Sequence, residues 1–199
     1  EKVQNWPEHT NTYRRRSPQA VVKMIDNLVE QWGVCNIKIA DEMFYIHRTH
    51  VEGICDLLVQ RAYAKDLNVW AYARIDTVKD LKLLEKIRRA GFRWLAFGIE
   101  SGNEGIRKGV DKGFSQEQVF AVIQQVREAG INIGANYIFG LPDDDLNTMQ
   151  ETLDLAVELN TEWANFYCVQ AYPGSALYKQ AVAEGWSLPS SWSGYSQHS

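Results

Sequence analysis

Two segments, "RRAGFRWLAFG" (residues 88–98) and "REAGINIGANYIFG" (residues 127–140), share one arrangement: a charged helix end, Ala-Gly, and then an apolar run. A glycine directly after a helical pattern indicates the end of that helix. The apolar run that follows is typical of a buried β-strand. Two such junctions in one chain predict a repeated strand–helix unit.

The same alternation extends toward both ends of the sequence. Five near-continuous apolar strands that alternate with helices predict an α/β fold with a parallel sheet buried on both faces. A (β/α) barrel and an open doubly wound sheet both satisfy this pattern. The other three strands are predicted in "CNIKIADEMF" (35–44), "NVWAYAR" (68–74) and "WANFYCVQAYP" (163–173), and three of the helices begin after the N-cap residues Ser17, Ser115 and Ser175.

The composition indicates an ordinary globular protein, with 199 residues, 45% hydrophobic and 23% charged. A net charge of −4 argues against nucleic acid or an anionic membrane as the main partner. No apolar run is long enough to span a membrane, and the polar first residues do not resemble a signal peptide.

Three widely spaced cysteines, Cys35, Cys55 and Cys168, fit a reducing, cytoplasmic setting, each as a small buried hydrophobe. No CxxC pair occurs, so we expect no cysteine metal site within the chain.

Polar side chains follow every predicted strand at its carboxyl end, where ligands bind in both architectures. Contributions from every strand favour the mouth of a barrel over a single crevice, and no GxGxxG follows the first strand. We therefore expect one open mouth surrounded by Asp41, Glu42, Glu100, Asn136 and Gln170.

Each of these features also has a purely structural interpretation. Glu100 could bond neighbouring backbone amides or pair with Arg74, and Asp143 to Asp145 could form the first turn of a helix. His47 and His50 suggest a divalent-metal site but are more simply the start of a helix. The glycine-rich stretch 102–114 is expected to be a solvated connection, since no Lys-Ser/Thr follows its glycines.

Five segments in order, however, resemble the core of radical S-adenosylmethionine (SAM) enzymes, in particular the subgroup often fused to cobalamin-binding domains. The resemblance covers nearly the whole chain and implies a partial (β/α)6 TIM-like barrel whose first strand is missing from this sequence. The segments are "YRRRSPQAVVKMIDNL" (13–28), "IKIADEMF" (37–44), residues 71–104 ending in "FGIESGNE", "GANYIFGLPDDD" (134–145) and "QAYPGSALY" (170–178).

The resemblance also implies which residues bind the cofactor. The acidic stretch Ala40, Asp41 and Glu42 would contact the SAM amino group, and Glu100 with Ser101 would bond the ribose hydroxyls or the methionine moiety. The implied residues at the adenine are Ile138, Gly140 and Pro142 beneath it and the backbone of Val169, Gln170 and Tyr172 beside it, with Asn136 at the same mouth. The implied cofactors are SAM, a 4Fe-4S cluster and, in the complete protein, cobalamin. The implied partner is a small-molecule substrate.

One departure from this family is large, because its cluster-binding CxxxCxxC loop is absent. We therefore expect residues 1–16 to be a linker that follows the missing loop, 17–185 the barrel core, and 186–199 the start of a C-terminal extension. The chain by itself is expected to be inactive and prone to self-association through its exposed first strand. The alternatives are a metal-dependent hydrolase or lyase on a TIM-like barrel and a non-catalytic barrel that binds a partner.

Overall fold

The computed structural model describes residues 14–41, 44–78 and 80–196. Five parallel strands form one sheet in the sequential order β1-β2-β3-β4-β5, curled into a half-barrel, which confirms the partial-barrel prediction. The strands are β1 (Asn36–Lys38), β2 (Asn68–Ala73), β3 (Phe92–Glu100), β4 (Asn132–Phe139) and β5 (Trp163–Cys168). The α-helices are α1 (Pro18–Trp32), α2 (Arg48–Leu58), α3 (Leu81–Arg89), α4 (Glu104–Gly109), α5 (Gln116–Glu128), α6 (Leu146–Leu159) and α7 (Ala176–Ala183).

The helix ends follow the signals in the sequence. The Ser17 hydroxyl accepts a hydrogen bond from the Ala20 amide at 3.2 Å, and Gly33 ends α1 with a φ of 64°. Ser115 and Gln118 form the expected capping box at the start of α5. Local sequence thus determines where these helices begin and end.

The hydrophobic core lies between the outer face of the sheet and the helices. The outer face consists of the alternate strand residues that point toward the helices, and the described ones in the three central strands are fully or almost fully buried: Val69, Ala71, Ala73, Leu95, Phe97, Ile99, Ile133, Ala135 and Tyr137. Burial of these side chains from water supplies the main stabilisation of the fold.

The opposite, inner face of the sheet is open, so the expectation of burial on both faces is wrong. In β2, partly exposed residues alternate strictly with buried ones. The inner residues are mainly aromatic rings and asparagine amides, for example Trp70, Tyr72, Trp94 and Asn165. Aromatic and β-branched residues both count as apolar in such a run, so the sequence suggested a strand that is buried on both sides.

The glycine-rich stretch 102–114 is not a solvated connection, because it contains helix α4. Asn103 caps this helix by accepting hydrogen bonds from the amides of Gly105 and Ile106 at 2.9 and 3.2 Å. Arg107 is completely buried, and Ile106 is only 7% exposed. The charged and glycine residues around them concealed this short anchored helix.

The cysteines also differ from expectation. Only Cys55, in α2, is a buried hydrophobe, and burial raises the pKa of its thiol to about 12. Cys35 precedes β1 and Cys168 ends β5, and both are exposed. These strands are the two edges of the sheet, where helices give less cover.

Across the described ranges, no helix has both the length and the apolar composition that crossing a membrane requires.

Candidate functional site

Glu100, the last residue of β3, forms an ion pair at the carboxyl edge of the sheet. Its Oε1 atom lies 3.0 Å from Nζ of Lys112, and the two side chains are only 14% and 17% exposed. The backbone of Glu100 has a φ of 69°, and the β3–β4 register is irregular between Gly98 and Glu100. A left-handed conformation is strained for a glutamate, so the bulge holds this carboxylate in a specific direction.

Gly98 makes room for this ion pair. A Cβ atom at Gly98 would lie 2.3 Å from Oε1 of Glu100 and 3.1 Å from Nζ of Lys112. The Lys112 ammonium also approaches the carbonyl of Gly98, at 3.5 Å. Any larger residue at position 98 would therefore displace the carboxylate or the ammonium.

Arg74 does not pair with Glu100 as the structural alternative supposed. Its guanidinium donates two hydrogen bonds to Asp76, at 3.0 and 2.8 Å, and these bonds lower the pKa of that carboxyl. It donates a third to the carbonyl of Asp111 at 3.3 Å. The partner of Glu100 is Lys112, which nothing in the sequence distinguishes from a solvated lysine in a glycine-rich stretch.

Ser101 is completely buried, and its hydroxyl is committed to the protein. The hydroxyl shares a hydrogen bond with that of Thr152 in α6, at 3.1 Å, and accepts one from the Asn103 amide. Arg107 donates to the carbonyls of Ser101 and Gly102, at 2.7 and 3.1 Å. This network anchors the turn directly after Glu100 and so orients the bulge.

Asn136 and Ile138 lie on the inner face of β4, beside β5. The Asn136 amide donates to the carbonyl of Phe97 at 3.3 Å and accepts from Asn165 at 3.0 Å. Ile138 is half-buried and lies in register with Tyr167. Both predicted site residues thus reach the open side of the sheet.

Gly140 and Val169 lie together past the ends of β4 and β5. Gly140 has a φ of 78°, and its amide donates to Asp144 at 2.9 Å. The Val169 amide donates to the carbonyl of Phe139 at 2.9 Å, which continues the pairing of the two strands. Asp145 is the N-cap of α6, so the prediction that Asp143 to Asp145 form the first turn of this helix is wrong by one turn position: the helix begins at Leu146.

The remaining predicted residues follow the two outer strands, β1 and β5, at the carboxyl edge of the sheet. Ala40 and Asp41 are exposed and follow β1, whereas Glu42 lies outside the described residues. Gln170 is half-buried, and Tyr172 is 45% exposed with its ring 6.3 Å from that of Tyr195. The described site residues therefore all follow or end strands at the carboxyl edge or lie on the inner face, except that the Ser101 hydroxyl is buried against α6.

The cysteines present do not fit a 4Fe-4S cluster. Cys55 is buried in a helix with a raised thiol pKa, and Cys35 and Cys168 belong to opposite edges of the sheet. Within residues 14–41, 44–78 and 80–196, no group of three or more His, Cys, Asp or Glu side chains could hold a metal ion. No such group within those ranges includes His47 or His50, and Glu42, next to which this site was suggested, lies outside them. His47 is the residue at the start of α2, and burial lowers the pKa of His50.

The chain resembles curated proteins that are considerably longer. It is 33% identical over 171 residues to the anaerobic magnesium-protoporphyrin IX monomethyl ester cyclase of Rubrivivax gelatinosus, which covers 84% of this chain and 30% of the cyclase. It is 24% identical over 183 residues to an uncharacterized methyltransferase of Pyrococcus horikoshii, which covers 92% of this chain and 39% of that protein. The chain thus spans about a third of the length of these relatives.

Solved structures share the fold. The radical SAM methyltransferase TsrM from Kitasatospora setae, solved with cobalamin and a 4Fe-4S cluster bound, matches 85% of this chain and 32% of its own. Its TM-score is 0.76 at 19% identity. OxsB, a cobalamin-dependent SAM radical enzyme, matches 87% of this chain and 26% of its own, with a TM-score of 0.65 at 21% identity.

The sequence profile of the radical SAM superfamily matches residues 4–156, which include the first four strands and most of α6. The half-barrel fold and this match indicate the same family. The chain belongs to the radical SAM superfamily.

Proposed function

We propose that this chain forms the SAM-binding and substrate-lining half-barrel of a radical SAM enzyme. The observation that carries the proposal is the Glu100–Lys112 ion pair, which is mostly buried and lies at the ligand-binding edge of a sheet of this family. A carboxylate and an ammonium held together there offer a strong acceptor and a strong donor to one ligand.

The charges of this pair complement those of SAM. The Glu100 carboxylate can accept hydrogen bonds from the ribose hydroxyls or the ammonium of SAM, and Lys112 can bind its carboxylate. The turn network behind Glu100, with Ser101 and Arg107, supports this role by fixing the bulge rather than by contacting the ligand. Ser101 therefore enters the proposal as a positioning residue.

The other predicted residues complete the proposed SAM site. Ala40, Asp41 and Glu42 contact the amino group, and Ile138, Gly140 and Pro142 pack beneath the adenine. The backbone of Val169, Gln170 and Tyr172 passes beside the adenine, and Asn136 lies at the mouth. The open carboxyl edge, to which the described members of this set belong, supports the proposal.

The cluster is assigned to residues outside this chain, because the three cysteines present do not form a site for it. In this family, the cluster supplies the electron that cleaves SAM. The chain alone is accordingly proposed to be inactive. Anaerobic reconstitution with iron and sulfide tests this: iron–sulfur absorbance and deoxyadenosine should appear for a longer protein with an upstream CxxxCxxC loop and not for residues 1–199. Cluster assembly and SAM cleavage by the short chain would refute it.

The reaction type is proposed to be that of the cobalamin-dependent methyltransferases, acting on a small molecule, with cobalamin held outside this chain. The support is that TsrM and OxsB, which match at least 85% of this chain, were solved with cobalamin. A longer protein that binds no cobalamin would contradict this part of the proposal alone.

The SAM site is tested by calorimetry with the cluster-bearing protein. Glu100→Gln removes the charge of the acceptor, and we expect SAM binding to weaken by about 1.5–3 kcal/mol. Glu85→Gln, which alters an exposed carboxylate of α3, is the matched control and should leave SAM affinity unchanged. If Glu100→Gln keeps full SAM affinity but lowers the free energy of unfolding strongly, the ion pair is structural and the proposal fails.

A further inference from the structure

The inner face of the half-barrel lines an open cavity of about 560 Å³, which extends along the strands up to Asn136 and Tyr167, near the level of Glu100. Its lining reaches Asn36, Asn68 and Trp163, the first residues of β1, β2 and β5. Its volume is within the range of roughly 300–1,000 Å³ that is usual for small-molecule sites. Asn136 belongs both to this lining and to the proposed SAM site, so a ligand in this cavity would lie next to SAM and share that residue with it.

Aromatic rings form the floor of the cavity. Trp70 and Trp94 stack with ring centroids 5.1 Å apart and planes inclined by 23°. Gly134 permits this arrangement, since a Cβ atom there would lie 2.8 Å from Cη2 of Trp70. Trp163 at the rim is 54% exposed. Stacked indoles open to solvent provide a flat apolar surface on which another planar ring gains stacking and burial.

Asparagine amides of the cavity lining bond to one another in two pairs. Asn68 donates to Asn36 at 2.7 Å, and Asn165 donates to Asn136 at 3.0 Å. The Nε1 atom of Trp70 is buried and has no hydrogen-bond partner among the residues that the structure describes. Because this donor is closed off from the cavity, it does not contribute to ligand binding.

The described lining of the cavity carries positive charge and no negative charge. Lys38 is the one charged side chain among its described lining residues, and its ammonium lies 5.3 Å from the centre of the Tyr72 ring. No described lining residue is a carboxylate. Lys38 is exposed at the edge strand, so it offers a cation at the border of the cavity that favours an acidic ligand over a neutral one.

We propose that this cavity binds a planar aromatic molecule that carries a carboxylate, as the substrate of the enzyme. The aromatic plane stacks on the surface formed by Trp70, Trp94 and Trp163, and the carboxylate pairs with Lys38. That the ligand is a substrate rests on the proposed function, whereas its binding to the cavity depends only on these side chains.

The test uses two matched ligands and the 199-residue chain. Fluorescence titration compares 1-pyrenebutyrate with 1-pyrenebutanol, which has the same ring system without the charge, and competition adds cyclohexanebutyrate, which has the charge without a planar ring. We expect pyrenebutyrate to bind about tenfold more tightly than pyrenebutanol, and cyclohexanebutyrate to compete poorly. Equal binding of the charged and uncharged pyrenes would overturn the proposed acidic class.

Two variants locate the binding within the cavity. Lys38→Gln should remove the preference for pyrenebutyrate over pyrenebutanol, and Trp163→Leu should weaken both by about tenfold. Lys82→Gln on α3 and Trp32→Leu at the end of α1, where the indole is 76% exposed, are the matched controls and should change neither. Equal losses in the control variants would show adhesion to surface tryptophans and overturn the proposal.

A separate titration with SAM keeps the two proposals apart. In the cluster-bearing protein, Lys38→Gln and Trp163→Leu should leave SAM affinity unchanged, because neither residue belongs to the proposed SAM site. Loss of pyrenebutyrate binding with full SAM affinity would confirm two subsites. Loss of both in the same variant would overturn the proposed separation of substrate and SAM.

Discussion

The two faces of the sheet use the same strands for different purposes. On the outer face, residues such as Leu95, Phe97 and Ile133 are fully buried against the helices. On the inner face, alternate positions of the same strands carry Trp94 and Asn136, which remain partly exposed. Strand periodicity separates a face that stabilises the fold from a face that can bind ligands. Variants on the two faces should accordingly fail in different ways.

The largest effect is expected on the outer face. Phe97→Ala removes a ring that is completely buried and leaves a cavity, so we expect the free energy of unfolding to fall by about 3–5 kcal/mol. Urea denaturation followed by far-UV circular dichroism measures this change. A loss below about 1 kcal/mol would mean that the outer face does not carry the stability.

A second variant separates binding from folding at the carboxyl edge. Gly98→Ala introduces a Cβ atom 2.3 Å from the present position of the Glu100 carboxylate, so the carboxylate must move. We expect SAM affinity in the cluster-bearing protein to fall by about 1.4 kcal/mol, with a smaller change in stability. Gly109→Ala, where an added Cβ meets no atom within 4 Å, is the control. Equal SAM affinity in the two variants would show that the direction of Glu100 is unimportant.

The stability contributed by the helical layer over the outer face should depend on pH. Arg61 donates to Asp26 of α1 at 2.8 and 3.0 Å, and these hydrogen bonds lower the pKa of Asp26 below its ordinary value of 3.8. Because the folded-state pKa is the lower one, this stabilisation is present above about pH 3.8 and is lost as the pH falls through the folded-state pKa. We expect Asp26→Asn to cost about 1 kcal/mol at neutral pH and progressively less in acid, as measured by urea denaturation. A cost that does not change with pH would contradict the ion-pair explanation.

The smallest effect on stability is expected on the inner face. Trp163 is a large side chain, but it is 54% exposed at the rim of the cavity. Trp163→Leu should therefore change the free energy of unfolding by less than about 0.5 kcal/mol. If thermal unfolding shows a loss comparable to that of Phe97→Ala, the inner face belongs to the core and the comparison fails.

The fold was largely predictable because its signals are local. Capping residues such as Ser17 and Ser115 mark helix starts, Gly33 marks a helix end, and apolar runs mark each strand. The parallel order follows from the strict alternation of strands and helices. The openness of the inner face was not predictable from these runs, because Trp70 and Val69 are both apolar. Only the three-dimensional fold shows that Val69 points toward the helices and Trp70 toward the open side.

The candidate site was predictable in position but not in its contacts. Glu100 could be placed at the carboxyl edge from the end of its apolar run, since that edge collects strand-end residues. Lys112 could not, because its approach to Glu100 depends on α4 and on the buried Arg107 that anchors it. Such long-range contacts leave no periodic signal in the sequence.

The most direct test of the account is a crystal structure of the cluster-bearing protein with SAM bound. We predict SAM at the carboxyl edge of the sheet, with the Glu100 carboxylate within hydrogen-bond distance of its ribose or ammonium group and Ile138 against the adenine. SAM bound elsewhere, with the Glu100–Lys112 pair intact and in contact with no ligand atom, would contradict the account.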